Sequence, residues 1–181
     1  MGLINALLAL GGVFSGFGIN NYLIHKQDLK QAELSTIYLA SLGLGFAITA
    51  IVAVAAIPLH LVYQDDQLLR LIPLAALVFV VTAPGALFQS LMIKSLALKR
   101  LAIIEIATSV ISIIAGVAAA LAGMGAASLV LAVLAAALTK TLLLIGASTH
   151  PWRPSMTFER KFLGPAINYG GYQAGGQLAN Q

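Results

Sequence analysis

The sequence contains no cysteine and very little charge. Without thiols, the chain has no disulfide bonds, no thiolate zinc sites and no cysteine nucleophile. Charged residues make up 9% of its 181 residues, whereas a soluble domain has about 25%. Ten Lys and Arg with six Asp and Glu cannot solvate a globule of this size. An ordinary soluble enzyme, a disordered tail and a nucleic-acid-binding module are therefore excluded.

Long apolar runs dominate the sequence instead, since hydrophobic residues make up 60% of it. A helix needs about 20 apolar residues to cross a hydrocarbon core about 30 Å thick. Five runs are long enough, at 1–24, 34–63, 68–93, 101–124 and 126–148. Barrel strands would instead alternate in polarity over about 9–11 residues. The sequence predicts an all-α, polytopic transmembrane bundle with five spans in residues 1–157. Residues 158–181, which are polar and rich in glycine, are expected to begin a sixth, truncated helical segment.

The charges between the runs alternate in sign from one connection to the next. The connections that contain Lys26, Lys99 and Arg160 are basic, whereas the one between the second and third runs carries Asp65 and Asp66. Cytoplasmic loops of membrane proteins carry the excess of Lys and Arg. We therefore expect the basic connections to be cytoplasmic and the Asp65–Asp66 connection to lie on the outer side.

Two charged residues lie inside the apolar runs. Glu105 and Lys140 each share a helical face with small residues, so both are expected to point into the bundle. Their expected depths are about 6 Å and about 10 Å from the cytoplasmic end, at 1.5 Å per residue. We predict that the two side chains pair, within about 4–6 Å. Two other interpretations stay open: Lys140 extends to the interface, or Glu105 is placed to favour a helix N-terminus.

A few uncharged groups in the runs are also of interest. Pro84 removes a helix hydrogen bond, so we expect a kink there, either purely structural or acting as a hinge. Gln89 follows it within the same run. Tyr38 opens a polar stripe in the second run, for which helix packing and cavity lining are both open. The stripe continues through Ser41, Gly45 and Thr49.

Signatures of catalysis are missing from the sequence. The Gly-Phe-Gly at 16–18 lacks the third glycine of a dinucleotide-binding loop, and no Gly-Lys-Ser or Gly-Lys-Thr is present. His25, His60 and His150 have no metal-ligand spacing. We expect a protein that is not an enzyme and that holds no metal or cofactor.

Several motifs resemble one family. GFGINNYLIHKQDL at 16–29, LSTIY at 34–38, APGALFQ at 83–89, LKRLAIIE at 98–105 and HPWRP at 150–154 are similar to bacterial oligosaccharide flippases. These form the polysaccharide-biosynthesis branch of the multidrug/oligosaccharidyl-lipid/polysaccharide exporter superfamily. The sequence departs from the family at His25 and Lys26, where glutamine is usual, and at Lys140, where many members have arginine.

The resemblance implies a MATE-like transporter built from two helical lobes in the bacterial cytoplasmic (inner) membrane. The chain would be a fragment that covers spans two to six of the first lobe and the start of span seven. Its partners would be the lipid bilayer and the missing second lobe. The expected function is the transport of undecaprenyl-pyrophosphate-linked oligosaccharide in exopolysaccharide or lipopolysaccharide biosynthesis, coupled to a proton or a sodium ion.

In such a transporter, Lys140 would meet the diphosphate as a point charge. The tail residues would meet sugar hydroxyls if that segment becomes span seven. The candidate cavity-lining residues are Lys140, Glu105, Gln89, Tyr38, Asn168, Tyr169 and Gln173. Three alternatives to this function are an ion-coupled multidrug exporter of the same fold, an inactive fragment and a membrane scaffold that transports nothing.

Overall fold

The computed structural model describes residues 31–63 and 66–148, and in these ranges every regular element is a helix. The four helices are α1 (Gln31–Tyr63), α2 (Asp66–Lys94), α3 (Leu98–Leu121) and α4 (Ala127–Ala147). They coincide with four of the five predicted apolar runs to within a few residues, which confirms the all-α class. The run at 1–24 and the segment at 158–181 lie outside the described residues.

All four helices are long and apolar enough to cross a membrane. The shortest, α4, has 21 residues and is about 30 Å long at 1.5 Å per residue, which equals the thickness of the hydrocarbon core. Large apolar side chains such as Ile113 and Leu142 remain exposed on the outer surface, at 65% and 68%. Such a surface suits lipid and not water. The chain is a multi-pass membrane protein.

Short connections make consecutive helices antiparallel. Only residues 95–97 join α2 to α3. Leu96 has a φ of 54° and donates its N–H to the Ile93 carbonyl, while Ala97 donates to Met92. This pair of bonds is a Schellman motif, which usually has glycine at the left-handed position. The end of α3 has that glycine, Gly123, at a φ of 77°. Of the polar stretch 94–100, only residues 95–97 lie outside the helices.

The bundle has α2 and α4 at its centre, with α1 packed on α2 and α3 packed mainly on α4. One apolar cluster unites the start of α1, the end of α2, the start of α3 and the end of α4. A second cluster lies at the opposite end and includes Val52, Ala76 and Val130. The start of α1 and the α2–α3 connection therefore share one end of the bundle, as the alternation of loop charge requires.

The polar stripe of α1 serves helix packing. A Cβ added to Gly45 would lie 2.9 Å from both the Ala83 Cβ and the Phe79 carbonyl oxygen, so only a hydrogen fits there. One turn further, the Thr49 hydroxyl donates a hydrogen bond of 2.9 Å to the Ala76 carbonyl. Gly45 and Thr49 of this stripe therefore pack α1 against α2, whereas cavity lining by Tyr38 stays a prediction.

Candidate functional site: an ion pair between α3 and α4

The small-residue faces of α3 and α4 meet in a regular antiparallel register. The Ser112 hydroxyl donates a hydrogen bond of 3.1 Å to the Ala132 carbonyl. A Cβ added to Gly116 would lie 3.1 Å from the Ala132 Cβ, so the two backbones approach closely there. Two turns toward the cytoplasmic end predicted from the loop charges, the same register brings Glu105 opposite Lys140.

These two charges form an ion pair. The Lys140 ammonium donates to Glu105 Oε1 at 2.6 Å, which confirms the predicted pairing. Glu105 lies seven residues after the start of α3 at Leu98, and Lys140 seven before the end of α4 at Ala147. Both are thus about 10 Å from the helix ends. The expected depth of about 6 Å for Glu105 was too shallow, because α3 begins three residues earlier than expected.

The geometry also decides between the other interpretations of the two residues. Lys140 binds Glu105 instead of extending to the interface. Glu105 lies beyond the first turn of α3, which contains no acidic residue. A helix dipole acts mainly within the first and last turns, so it does not explain the position of this carboxylate.

The pair lies on an exposed flank of the two helices, so the expectation that both charges point into the bundle is wrong for Glu105. The side chain of Glu105 is 48% exposed and that of Lys140 is 27% exposed. Ser109, one turn from Glu105, is also exposed and donates its hydroxyl to the Glu105 carbonyl at 2.9 Å. Ile103 and Val110 occupy other directions around α3 and are exposed too. The outer surface of α3 therefore has a polar flank beside its apolar one.

The other predicted site residues are not gathered around this pair. Tyr38 packs against the apolar cluster at the end where α1 begins. Gln89 is half-buried on α2, and its role in a cavity stays a prediction. Pro84 lies within α2, which is helical throughout, and the predicted bend there also stays a prediction. The remaining predicted residues lie outside the described ranges, namely Asn168, Tyr169 and Gln173.

Sequence reasoning missed several polar residues that the bundle buries, among them Glu33, Thr108 and Thr141. Glu33 is 1% exposed and lies in the first turn of α1. The apolar run that predicts this helix starts one residue later, at residue 34. The spacing of Glu33, four from Ile37 and eight from Ser41, which are both buried, would have placed it on the core face. Within the described ranges, the buried Thr108 hydroxyl has no hydrogen-bond partner, and no sequence signal indicates this.

The relatives found by comparison with known proteins are all named as biosynthesis proteins. The chain is 26% identical over 174 residues to lipopolysaccharide biosynthesis protein WzxC of Escherichia coli (strain K12), covering 96% of this chain and 35% of the relative. It is 28% identical over 164 residues to amylovoran biosynthesis protein AmsL of Erwinia amylovora, covering 90% and 42%. It is 26% identical over 168 residues to teichuronic acid biosynthesis protein TuaB of Bacillus subtilis (strain 168), covering 92% and 34%.

The chain therefore spans between a third and less than half of the length of these relatives. No solved structure matches it. The family model for polysaccharide biosynthesis proteins matches residues 1–181, which is the whole sequence. The chain belongs to the family of polysaccharide biosynthesis proteins.

Proposed function

We propose that the chain is part of a transporter that moves undecaprenyl-pyrophosphate-linked oligosaccharide across the bacterial cytoplasmic membrane, for exopolysaccharide or lipopolysaccharide biosynthesis. Family membership supports this proposal, as do relatives named for lipopolysaccharide, amylovoran and teichuronic acid biosynthesis. The substrate crosses chemically unchanged, so the protein is not an enzyme. The remaining length of the relatives leaves room for the second lobe of such a transporter.

The exposed ion pair of Glu105 and Lys140 carries the mechanistic part of the proposal. A charge near the bilayer centre costs about 2.5–3.5 kcal/mol on insertion scales. Nevertheless, almost half of the Glu105 side chain is exposed, about 10 Å from the helix end. A flank with such a group is poorly suited to lipid tails. It suits a wet passage, which a diphosphate and its sugars also need in order to cross hydrocarbon.

In this passage, Lys140 would meet the diphosphate of the substrate. Lysine offers a compact point charge, whereas arginine would bind two phosphate oxygens at once. Glu105 would be the counter-ion that Lys140 leaves when the diphosphate arrives. Exchange of a proton or a sodium ion would supply the energy for transport.

Cysteine accessibility tests the wet flank, since the chain has no native cysteine. Ser109→Cys and Val110→Cys differ by one residue in depth and by about 100° around α3, and both positions are exposed. In the full-length protein, with any cysteine outside these 181 residues replaced, we expect a membrane-impermeant maleimide to label Ser109→Cys and to spare Val110→Cys. Equal labelling at the two positions would contradict a passage on this flank.

Transport of an undecaprenyl-diphosphate-linked saccharide into vesicles tests the role of Lys140. Lys140→Gln in the full-length protein should lower the rate about tenfold, the usual effect of losing one charged hydrogen bond. Lys140→Arg should retain most of the rate. Lys99→Gln, at an exposed lysine in the first turn of α3, is the matched control and should have little effect. Normal transport by Lys140→Gln would remove Lys140 from the substrate path.

A further inference from the structure

The helices form two antiparallel pairs, and hydroxyl groups fasten both pairs. The first hairpin is α1 with α2, and the second hairpin is α3 with α4. Thr49 and Ser112 each donate to a backbone carbonyl of the partner helix within their own hairpin. Thr141 differs because its hydroxyl, on α4, donates at 2.8 Å to the Val81 carbonyl on α2. This bond joins the second hairpin to the first.

The acceptor of the Thr141 bond lies in the turn of α2 that Pro84 disrupts. Proline has no N–H, so the carbonyl of Val80 lacks its usual partner within the helix, and the proline ring crowds the same turn. Threonine hydroxyls of neighbouring helices often bind carbonyls at such points in membranes. The link between the hairpins therefore involves a turn of α2 that lacks one of its helical hydrogen bonds.

Gly85 lets the two backbones touch beside this bond. A Cβ added there would lie 3.1 Å from the Thr141 hydroxyl, 3.2 Å from its Cα and 3.4 Å from the Leu144 Cδ1. Such distances are too short for most side chains. This close approach and the hydrogen bond thus coincide within one turn, at residues 81–85.

The Thr141 hydroxyl has a second acceptor available. Serine and threonine in a helix can donate to the carbonyl four residues earlier in their own helix, which for Thr141 is that of Ala137. Several hydroxyls of this chain already do so, namely Ser35, Thr36, Ser90 and Ser109. Were α4 to move away from α2, the hydroxyl could donate to this carbonyl instead, so the bond to Val81 favours the position seen in this structure only modestly.

We propose that residues 81–85 and Thr141 form a hinge about which the second hairpin turns against the first. The Thr141–Val81 hydrogen bond holds the position seen in this structure. Two discrete arrangements of packed helices are the usual basis of such rigid-body motion. This inference goes beyond the proposed function and stands without it.

Distance measurement between spin labels on the full chain in lipid nanodiscs tests the hinge. One label pair, at Val54 and Leu121, spans the two hairpins, and both sites are well exposed. The control pair, at Val110 and Leu138, lies within the second hairpin. Thr141→Val removes the hydroxyl and keeps the shape. It should raise about threefold the ratio of molecules with a second distance between the labels at Val54 and Leu121 to molecules with the first. This is the effect, about threefold, expected for one interhelical hydrogen bond in a membrane.

Two matched variants complete the test. Thr141→Ser keeps the hydroxyl, and Thr49→Val removes a crossing hydroxyl within the first hairpin, so both should leave the spanning distance unchanged. The hinge is overturned if Thr141→Val has no effect, or if Thr49→Val or the control pair shows the same change.

Pro84→Ala restores an N–H for the Val80 carbonyl and should narrow the distribution of distances between the labels at Val54 and Leu121. An unaltered distribution in Pro84→Ala also overturns the hinge, even if Thr141→Val does not fold.

Discussion

At the scale of single residues, two glycines of α1 face very different surroundings. Gly45 touches α2, where an added Cβ would lie 2.9 Å from two atoms, whereas an added Cβ at Gly43 would meet nothing within 4 Å. We expect Gly45→Ala to lower the free energy of unfolding by about 1–3 kcal/mol, because overpacking forces the helices apart. Gly43→Ala should be neutral or stabilise by up to about 1 kcal/mol, because alanine favours helix. Unfolding in mild detergent measures both, and equal effects would contradict the close approach.

The ion pair gives a second prediction at this scale. Glu105→Lys and Lys140→Glu each place two like charges where the structure has a contact of 2.6 Å. Each should lower stability by about 1 kcal/mol, since the pair is partly exposed. The double swap restores opposite charges and should recover most of the loss. Thermal unfolding of the four proteins forms a double-mutant cycle, and a double variant no more stable than the singles would show that the pair contributes nothing.

At the scale of a helix end, Leu96 occupies a conformation that suits glycine. Its φ is 54°, and left-handed backbone costs an L-residue about 1–2 kcal/mol. The side chain is 79% exposed, so its packing within the bundle offsets little of this strain. Leu96→Gly should therefore stabilise the α2–α3 connection by up to about 1 kcal/mol, after the greater backbone entropy of glycine is subtracted.

Gly123 provides the reverse test, because it ends α3 in the same motif with a φ of 77°. Gly123→Ala should destabilise the protein by about 1 kcal/mol. Thermal unfolding in detergent measures both variants. A destabilising Leu96→Gly would mean that the exposed leucine has a favourable partner outside this bundle.

At the scale of the whole molecule, the bundle has two chemically different ends. Lys94, Lys99 and Arg100 cluster around the α2–α3 connection, whereas Asp66 begins α2 at the opposite end. By the positive-inside rule, we expect the basic end to face the cytoplasm. In intact cells, an impermeant maleimide should label Gln67→Cys and spare Ser95→Cys, which should react only after the membrane is opened. The opposite pattern would invert the topology.

Much of the fold follows from the sequence alone. The runs at 34–63, 68–93, 101–124 and 126–148 specified four helices, because uniformly apolar segments of this length have few stable alternatives in a bilayer. The spacing of small residues around Glu105 and Lys140 specified the faces that meet, because close helix packing in membranes requires small side chains. The family resemblance is also a property of the sequence, and the family model matching residues 1–181 confirms it.

Only the tertiary structure decided how these faces are used. The ends of α3 and α4 place Glu105 and Lys140 at equal depth, and the position of α3 at the side of the bundle leaves their side chains partly exposed. The burial of Glu33 and the bond from Thr141 to Val81 depend on contacts between helices far apart in sequence. Periodicity shows which residues share a face, but it does not show which helix covers that face, because any apolar helix matches another about equally well in hydrophobicity. The choice depends on close packing and individual hydrogen bonds, which exist only once the helices are assembled.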